Sequence, residues 1–428
     1  MTDTVPLRKN ARFQLLWAGS AVSQLGSELT RLAMPLLVLA LTGSPGLAGI
    51  VAGARTVAFL AVQMPAGVWA DRWDRRRTLI TAQALQAVVS ALLTALIITG
   101  HAQVWQFVTL AVLDGLCAAF IGPVHDTAIR GIVAPGQLHS AYAQEEARTH
   151  AAGLIGPPLG GLLYALGRAV PFVVDTITFL AATLLYALAK VPRRPASAPD
   201  GEQQRPTRPS MRREAGEAIA WLWRWHGLRE VTAAVMVLNL LGGAFLIPLI
   251  VLVGERGGDA RITGTVLAGL GVGGLAGALL SGSISRLLPP GRLLPAVVTV
   301  FGAALAATAL PFGAWWPMIP LVFITLSTPS LNVVMNVVIA RMVPEAMLGR
   351  MGAVLSMGAT ALKPLGPVLG GALAAALGGA AALVVLGGLL GLTAAAAALS
   401  PQVRHFTGEA STAADGTSAD DTSPHAPA

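Results

Sequence analysis

The apolar residues of this chain are gathered into runs of about 20 residues, and short polar connections separate the runs. A run of this length forms a helix that can cross the hydrocarbon core of a bilayer. The predicted spans are residues 13–41, 47–69, 78–99, 104–133, 141–166, 170–190, 229–253, 262–286, 292–312, 315–340, 350–377 and 380–400. The sequence therefore predicts an all-α membrane protein with twelve transmembrane helices.

The composition agrees with this prediction. Hydrophobic residues make up 54% of the chain and charged residues 12%. Charged residues are about a quarter of an ordinary globular protein. The single cysteine, Cys117, excludes an internal disulfide and lies in an apolar run, where we interpret it as a small buried side chain.

The basic residues are divided unevenly between the two sets of connections. Twenty-two lysines and arginines fall on the side that holds both termini, and only Arg168, Arg256 and Arg261 fall in the opposite loops. Membrane proteins concentrate these residues on the cytoplasmic side. The sequence therefore predicts a multi-pass protein of the cell membrane with both termini in the cytoplasm. The net charge of +8 then requires no nucleic-acid partner.

The connection between the second and third spans reads GVWADRWDRRR from Gly67 to Arg77. Its spacing resembles the signature of major facilitator superfamily transporters, with Asp74 where that family usually has glycine. The resemblance implies a gate in which Asp71 ties the end of span 2 to the N-terminal end of span 11, through the dipole of that helix and a nearby cation. The alternative is an ordinary basic membrane anchor. The candidate gating residues are Gly67, Asp71, Arg72, Arg75, Arg76 and Arg130.

Two copies of one motif indicate an internal repeat. GPPLGG at 156–161 recurs as GPVLGG at 366–371, 210 residues later, and segments 130–135 and 341–344 share an arginine and a proline at nearly the same offset. A duplicated six-span unit is the repeat expected of this superfamily. Small residues at this spacing let helices pack closely. The residues of the motif are Gly156, Pro157, Gly160, Gly161, Gly366, Pro367, Gly370 and Gly371.

The repeat and the changes in composition give the predicted domains. Residues 1–190 and 229–400 form two six-helix halves, 191–228 form a cytoplasmic linker, and 401–428 form a disordered tail. Within the linker, the segment from Met211 to His226 is either a helix lying in the membrane interface or the start of span 7.

The motif in span 5 resembles the signature of the exporting branch of the superfamily, the drug–proton antiporters. The chain as a whole is most similar to macrolide and enterobactin-type exporters. This resemblance implies export of an amphipathic small molecule by proton antiport and alternating access of two rocking halves.

Ionisable residues inside the predicted spans are costly in lipid and are candidates for function. Glu28 and Asp114 are the candidates for proton coupling, because a carboxyl group in a low-dielectric cavity can load and release a proton. Glu28 can instead merely neutralise Arg31, three residues further along its helix. Asp114 can instead pair with an arginine such as Arg148. Asp175, near the start of span 6, is predicted to face water at the outer surface.

The remaining polar residues within the spans are candidates for lining a substrate cavity. They can equally form structural ion pairs or hydrogen bonds between helices. These candidates are Gln24, Arg31, Arg55, Asn239, Asn332, Asn336 and Lys363.

Other functions find less support in the sequence. The histidines show no metal-ligand spacing, and no phosphate-binding loop is present, so we expect no enzyme activity, metal or cofactor. The predicted partners are the lipid bilayer, a small-molecule substrate and protons, and we expect a monomer. The alternatives are a proton-coupled importer, a membrane-embedded enzyme or lipid-handling protein, and a non-transporting sensor or scaffold.

The gate can be tested at Asp71. We expect Asp71→Asn to leave membrane insertion intact and to abolish efflux, because the amide cannot hold the cation and the helix end as the carboxylate does. Drug accumulation and membrane abundance are measured together in cells that express each protein. Efflux at the wild-type rate in the variant would refute the gate.

Overall fold

The structure of this protein, a computed structural model, describes residues 6–191, 226–287, 290–326, 328–329, 331 and 358–401. Long helices account for most of these residues, in agreement with the all-α prediction. The helices are α1 Ala11–Thr42, α2 Pro45–Arg72, α3 Arg75–Thr99, α4 Val104–Ile132, α5 Leu138–Leu166, α6 Val170–Leu188, α7 His226–Ala244, α8 Leu246–Glu255, α9 Ala260–Leu287, α10 Pro290–Ala307, α11 Met318–Leu326 and α12 Leu365–Leu399.

These helices follow the predicted spans. Helices α1 to α6 match the first six spans, and α7 with α8 form the seventh. Helix α12 runs through the eleventh and twelfth spans and breaks at Gly378, whose φ of 79° lies in the left-handed region that favours glycine. Eight stretches of helix within the described residues are long and apolar enough to cross a membrane.

Some predictions fall outside the described residues. These are most of the linker predicted over 191–228, the tail after residue 401, Asn332 and Asn336. Helix α7 begins at His226.

Short polar side chains start the first three helices. Asn10 accepts a hydrogen bond from the backbone N–H of Phe13, Ser44 accepts one from Leu47, and Asp74 accepts one from Arg77 at 3.0 Å. Each satisfies a backbone donor that the helix leaves free. Asp74, the departure from the family signature, therefore caps α3.

The helices pack into two halves. In the first half α1 packs against α5 and α6, α2 against α4, and α3 against α4 and α6. In the second half α12 packs against α7, α8 and α10, and α9 packs against α11. The halves are joined mainly by α5 with α9 and α2 with α12, and to a smaller extent by α2 with α8. We call the end of the bundle with connections 43–44, 100–103, 167–169 and 256–259 the upper end, and the opposite end the lower end.

Glycine faces glycine where the halves meet. A Cβ atom built on Gly161 of α5 would lie 3.0 Å from the Cα atom of Gly264 in α9. One built on Gly371 of α12 would lie 3.0 Å from the Cα atom of Gly49 in α2. Gly161 and Gly371 hold the same place in the two copies of the repeated motif. The halves are therefore joined near the upper end by two equivalent contacts of backbone on backbone.

The other side of each motif faces a helix of its own half. A Cβ atom on Gly160 would lie 2.8 Å from the carbonyl oxygen of Leu29 in α1. A Cβ atom on Gly370 would lie 3.1 Å from the Cα atom of Ala244 at the end of α7. Each motif thus holds its helix between one helix of the same half and one of the other half.

The contact between the halves can be tested at Gly264. A Cβ atom there would lie 2.5 Å from the carbonyl oxygen of Pro157, whereas one on Gly274 of the same helix has no atom within 4 Å. We expect Gly264→Ala to lower the free energy of unfolding by roughly 1–3 kcal/mol, as overpacking does. Thermal unfolding in detergent would measure this.

Gly274→Ala is the matched control. It should be neutral or slightly stabilising, because alanine favours helix and has room at that position. Equal unfolding temperatures for the two variants would contradict the close contact.

Candidate functional site

A cavity of about 520 Å³ lies between the two halves. Ionisable side chains line it almost entirely from the first half, and Lys363 is the ionisable lining residue from the second half. The second half otherwise contributes mainly apolar residues, including Phe245, Leu246, Ile247 and Leu270. The first half therefore supplies almost all the charged groups of the cavity, whereas apolar residues line it from both halves. The ionisable lining residues of the first half are Glu28, Arg31, Arg55, Asp114 and Asp175.

A second hollow, of about 390 Å³, lies between α3 and α4 around Leu92 and Trp105. Both side chains are more than half exposed, and no ionisable residue lines the hollow. It offers no group that could bind a charged substrate or a proton.

Asp114 is held by two side chains from neighbouring helices. Its Oδ2 lies 2.6 Å from Nε of Arg55 on α2, and its Oδ1 accepts a hydrogen bond of 2.8 Å from Nε2 of Gln86 on α3. Gly115 permits this arrangement, because a Cβ atom there would contact the carbonyl oxygen of Arg55. Charge-assisted hydrogen bonds of this kind are about twice as strong as neutral ones. Asp114 therefore links α2, α3 and α4.

Glu28 pairs with Arg31, one turn further along α1. Oε2 of Glu28 lies 2.5 Å from Nη2 of Arg31, and the Arg31 side chain is 59% exposed. Helix α5 packs closely beside this pair, because a Cβ atom on Gly156 would contact Cβ of Glu28. The ion pair predicted from the spacing is thus present, among the residues that line the cavity.

Asp175 lies elsewhere than the sequence suggested. The sequence predicts that Asp175 faces water near the outer surface, but this residue is only 4% exposed and lines the cavity. Its Oδ2 accepts a hydrogen bond of 3.3 Å from the hydroxyl of Ser90 on α3, and its Oδ1 is buried without a hydrogen-bond partner. Gly26 of α1 packs directly against this carboxylate. Asp175 lies only five residues after the start of α6, but α1 and α3 pack against that helix and enclose it.

Arg148 does not pair with Asp114. Its Nη2 lies 2.8 Å from Oε2 of Glu145, and its Nη1 donates to the hydroxyl of Ser20. The same Glu145 oxygen lies 2.9 Å from Nε2 of the buried His125. These residues form a polar cluster in the lower part of the first half.

The remaining cavity candidates differ in position. Arg55 and Lys363 line the cavity, whereas Gln24 and Asn239 do not. Gln24 accepts a hydrogen bond from Thr149 at 3.5 Å, and the Asn239 amide donates to the carbonyl of Val235 in its own helix at 3.0 Å. Lys363 is exposed to the cavity and makes no ion pair within the described part of the chain.

The candidate gating residues lie at the lower end. Gly67, Asp71 and Arg72 belong to the last turns of α2, but the structure does not describe their side chains. Arg76 donates to the carbonyl of Ala187 at 2.7 Å, at the C-terminal end of α6, where the helix dipole favours a cation. The N-terminal part of span 11 lies outside the described residues, so the tie to Asp71 stays a prediction.

Arg130 and Arg75 also make contacts within the first half. Nη1 of Arg130 lies 3.5 Å from the hydroxyl of Tyr142 on α5. A Cβ atom on Gly131 would lie 3.3 Å from Nη1 of Arg75. Both arginines thus lie where α3, α4 and α5 come together.

A buried polar stripe on α3 was not predicted from the sequence. Gln83, Gln86, Ser90 and Thr94 are all less than a tenth exposed, and their spacing of three or four residues places them on one helix face. Three of them hold groups on other helices: Ser23, Asp114 and Asp175. The spacing was visible in the sequence as polar residues repeating through an apolar span. Within the described residues, no cluster of His, Cys, Asp and Glu is placed to hold a metal ion.

Known proteins resemble this chain over most of its length. The sequence model of the Major Facilitator Superfamily matches residues 16–329. The multidrug efflux pump Tap of Mycolicibacterium fortuitum is 27% identical over 427 residues, which cover 95% of this chain and 98% of that protein. Macrolide efflux protein A of Streptococcus pyogenes is 24% identical over 371 residues, which cover 84% and 88%. The resemblance predicted from the sequence is confirmed.

Solved structures share the fold at low sequence identity. The nucleoside transporter NupG gives a TM-score of 0.69 at 12% identity, covering 90% of this chain and 98% of that chain. A bacterial homologue of the iron transporter ferroportin, in its inward-facing state, gives 0.67 at 14% identity, covering 92% and 100%.

The Asp114 pair can be tested by a double-mutant cycle. Asp114→Asn should lower the unfolding temperature more than Glu28→Gln, because Asp114 bridges three helices and Glu28 pairs only along its own helix. Arg55→Gln combined with Asp114→Asn should recover part of the loss. We expect a coupling energy of about 1 kcal/mol, since the Arg55 side chain is 43% exposed and partly screened. Strictly additive effects would show that the pair contributes nothing.

Proposed function

This chain belongs to the Major Facilitator Superfamily, and we propose that it exports an amphipathic small molecule, an antibiotic or another natural product, in exchange for protons. It is a transporter rather than an enzyme. The observation that carries the proposal is the cavity between the halves, which combines charged groups, mainly from the first half, with apolar residues from both halves.

The two kinds of lining residue suit a molecule with two kinds of surface. Phe245, Leu246 and Ile247 offer an apolar surface on which a lipophilic skeleton can be buried. Glu28 and Arg31 face it with charged groups that can orient a polar or ionised substituent. Relatives that are named as multidrug and macrolide exporters support this substrate class.

The contacts between the halves support alternating access. Transporters with two repeats move by rocking one half against the other around a site at their interface. The Gly161–Gly264 and Gly371–Gly49 contacts close the two halves together at the upper end. With the orientation predicted from the basic residues, the upper end faces outward, and this closed arrangement is the one in which an exporter loads its substrate from the cytoplasm.

Proton exchange requires a carboxyl group that can gain and lose a proton in step with this motion. Glu28 and Asp114 remain candidates. Each is paired with an arginine, Arg31 and Arg55 respectively. Protonation of either carboxylate would leave its arginine without a counter-charge, which is costly in a partly buried place.

Export can be tested with radiolabelled erythromycin, a macrolide, in a pump-deficient bacterial host. We expect cells with the wild-type protein to accumulate several-fold less drug than cells without it, and an uncoupler to remove the difference. Ala52→Phe should abolish export, because Ala52 lines the cavity and the ring would fill the space of the substrate.

Ala61→Phe is the matched control on the same helix. Ala61 is exposed, does not line the cavity and lies on the face of α2 opposite to Ala52, so export should persist. Export that the uncoupler does not reduce would refute proton antiport. Greater accumulation of the drug in cells with the wild-type protein would indicate an importer instead.

A further inference from the structure

Asp175 is a buried carboxylate on the wall of the cavity. It is 4% exposed, it lies between α1 and α3, and its hydrogen-bonding neighbours are the hydroxyl of Ser90, 3.3 Å from Oδ2, and the hydroxyl of Thr30 on α1. Oδ1 is buried and has no partner. Burying an ionised carboxylate with so few donors is expensive, and the neutral, protonated group avoids that cost.

The other carboxylates of the cavity are already neutralised. Glu28 is paired with Arg31 on α1, and Asp114 on α4 is paired with Arg55 on α2. These four and Lys363 of the second half are the charged groups that face Asp175 across the cavity, and α3 contributes the uncharged Ser90. In the described part of the chain, no cation lies within ion-pair distance of Asp175. Asp175 can therefore bind and release a proton without breaking an ion pair.

Buried polar atoms continue from Asp175 toward the lower end. On α3, Ser90 is followed by Gln86 and Gln83, which are 2% and 0% exposed. The amide oxygen of each glutamine is buried without a hydrogen-bond partner. Buried polar groups in proteins are regularly satisfied by internal water. A chain of such groups can conduct a proton past the apolar side chains.

The stripe leads to the polar cluster in the lower part of the first half. The Gln83 amide donates to the hydroxyl of Ser23 at 2.9 Å, and Ser20, one turn below on α1, accepts from Arg148. Arg148 in turn holds Glu145, which pairs with His125. Polar side chains thus extend from the cavity toward the lower end through the interior of one half.

We propose that Asp175 is the group that binds and releases the exchanged proton, and that the polar stripe of α3 connects it to the lower end. This inference rests on the proposed function and names the proton site of that exporter. On release, the O–H bond of the carboxyl breaks, the proton passes to water, and the electron pair stays on the carboxylate.

The net charge of the cavity links the protonation of Asp175 to the binding of the substrate. With Asp175 ionised, the formal charges of the six ionisable lining residues cancel, and with Asp175 protonated the cavity carries one positive charge. The protonated cavity repels a cationic amphiphile, and the ionised cavity accepts it. Binding of a cationic substrate and release of the proton therefore favour each other, which is the coupling that an antiporter needs.

The test uses the purified full-length protein in phospholipid vesicles with radiolabelled erythromycin, which carries an amine. One assay measures uptake driven by an acidic interior, and the other measures counterflow without a proton gradient. The wild-type protein should perform both. Asp175→Asn, which removes the titratable group at nearly constant volume, should lose gradient-driven uptake and retain counterflow, which needs no net proton movement.

Two variants control for structural effects. Asp175→Glu keeps a carboxyl group and should retain gradient-driven uptake. Asp259→Asn makes the same chemical change at the start of α9, outside the cavity, where asparagine caps a helix as well as aspartate does. It should behave as the wild type. If Asp175→Asn does not give monodisperse protein, Asp175→Ser provides a second neutral variant with the same expected result.

The outcomes separate this inference from the proposed function. Gradient-driven uptake by Asp175→Asn at the wild-type level would overturn the inference and leave proton antiport standing. Loss of coupling in Glu28→Gln, with coupling kept in Asp175→Asn, would also overturn it and move the proton site to Glu28. Counterflow without gradient-driven uptake in the wild type would refute proton antiport itself, and the inference with it.

Discussion

The structure depends on backbone-to-backbone packing at glycine where helices of the two halves meet. In lipid, apolar side chains gain little by leaving their surroundings, so close van der Waals contact must hold helices together. Gly161 against Gly264 and Gly371 against Gly49 provide this contact at two equivalent places. These contacts bring the backbones of the two halves together with no side chain between them, which suits the rocking motion that we propose.

Within the described residues, most of the charged groups that line the central cavity belong to the first half. The first half carries Glu28 with Arg31 and Asp114 with Arg55, and each cation neutralises a carboxylate that would otherwise be costly at this depth. The second half faces them with apolar side chains and Lys363. This asymmetry has developed within a repeated architecture. The glycine motifs occur in both copies, whereas the ionisable residues that line the cavity in the described part of the chain lie in the first copy, apart from Lys363.

Much of the fold could be predicted because its signals are local. Apolar runs of bilayer length mark the helices, and the repeated GPPLGG and GPVLGG strings mark the two halves. The pair of Glu28 with Arg31 follows from a spacing of three residues on one helix. The partners of Asp114 could not be predicted in this way, since Arg55 and Gln86 lie on two other helices and several cations in the sequence were equally available. Arg148 was one of them, and the structure gives it to Glu145 instead.

The sequence by itself determined the helices, the repeat and the family, because length, hydropathy and motif spacing are properties of consecutive residues. Only the tertiary structure decided which polar groups meet and which remain alone. Asp175 shows the difference most clearly. By its position in the chain it belongs near a helix end and near water, but the packing of α1 and α3 around it buries it beside the hydroxyl groups of Ser90 and Thr30. Depth in a bundle is set by the neighbouring helices, and no stretch of a single helix contains that information.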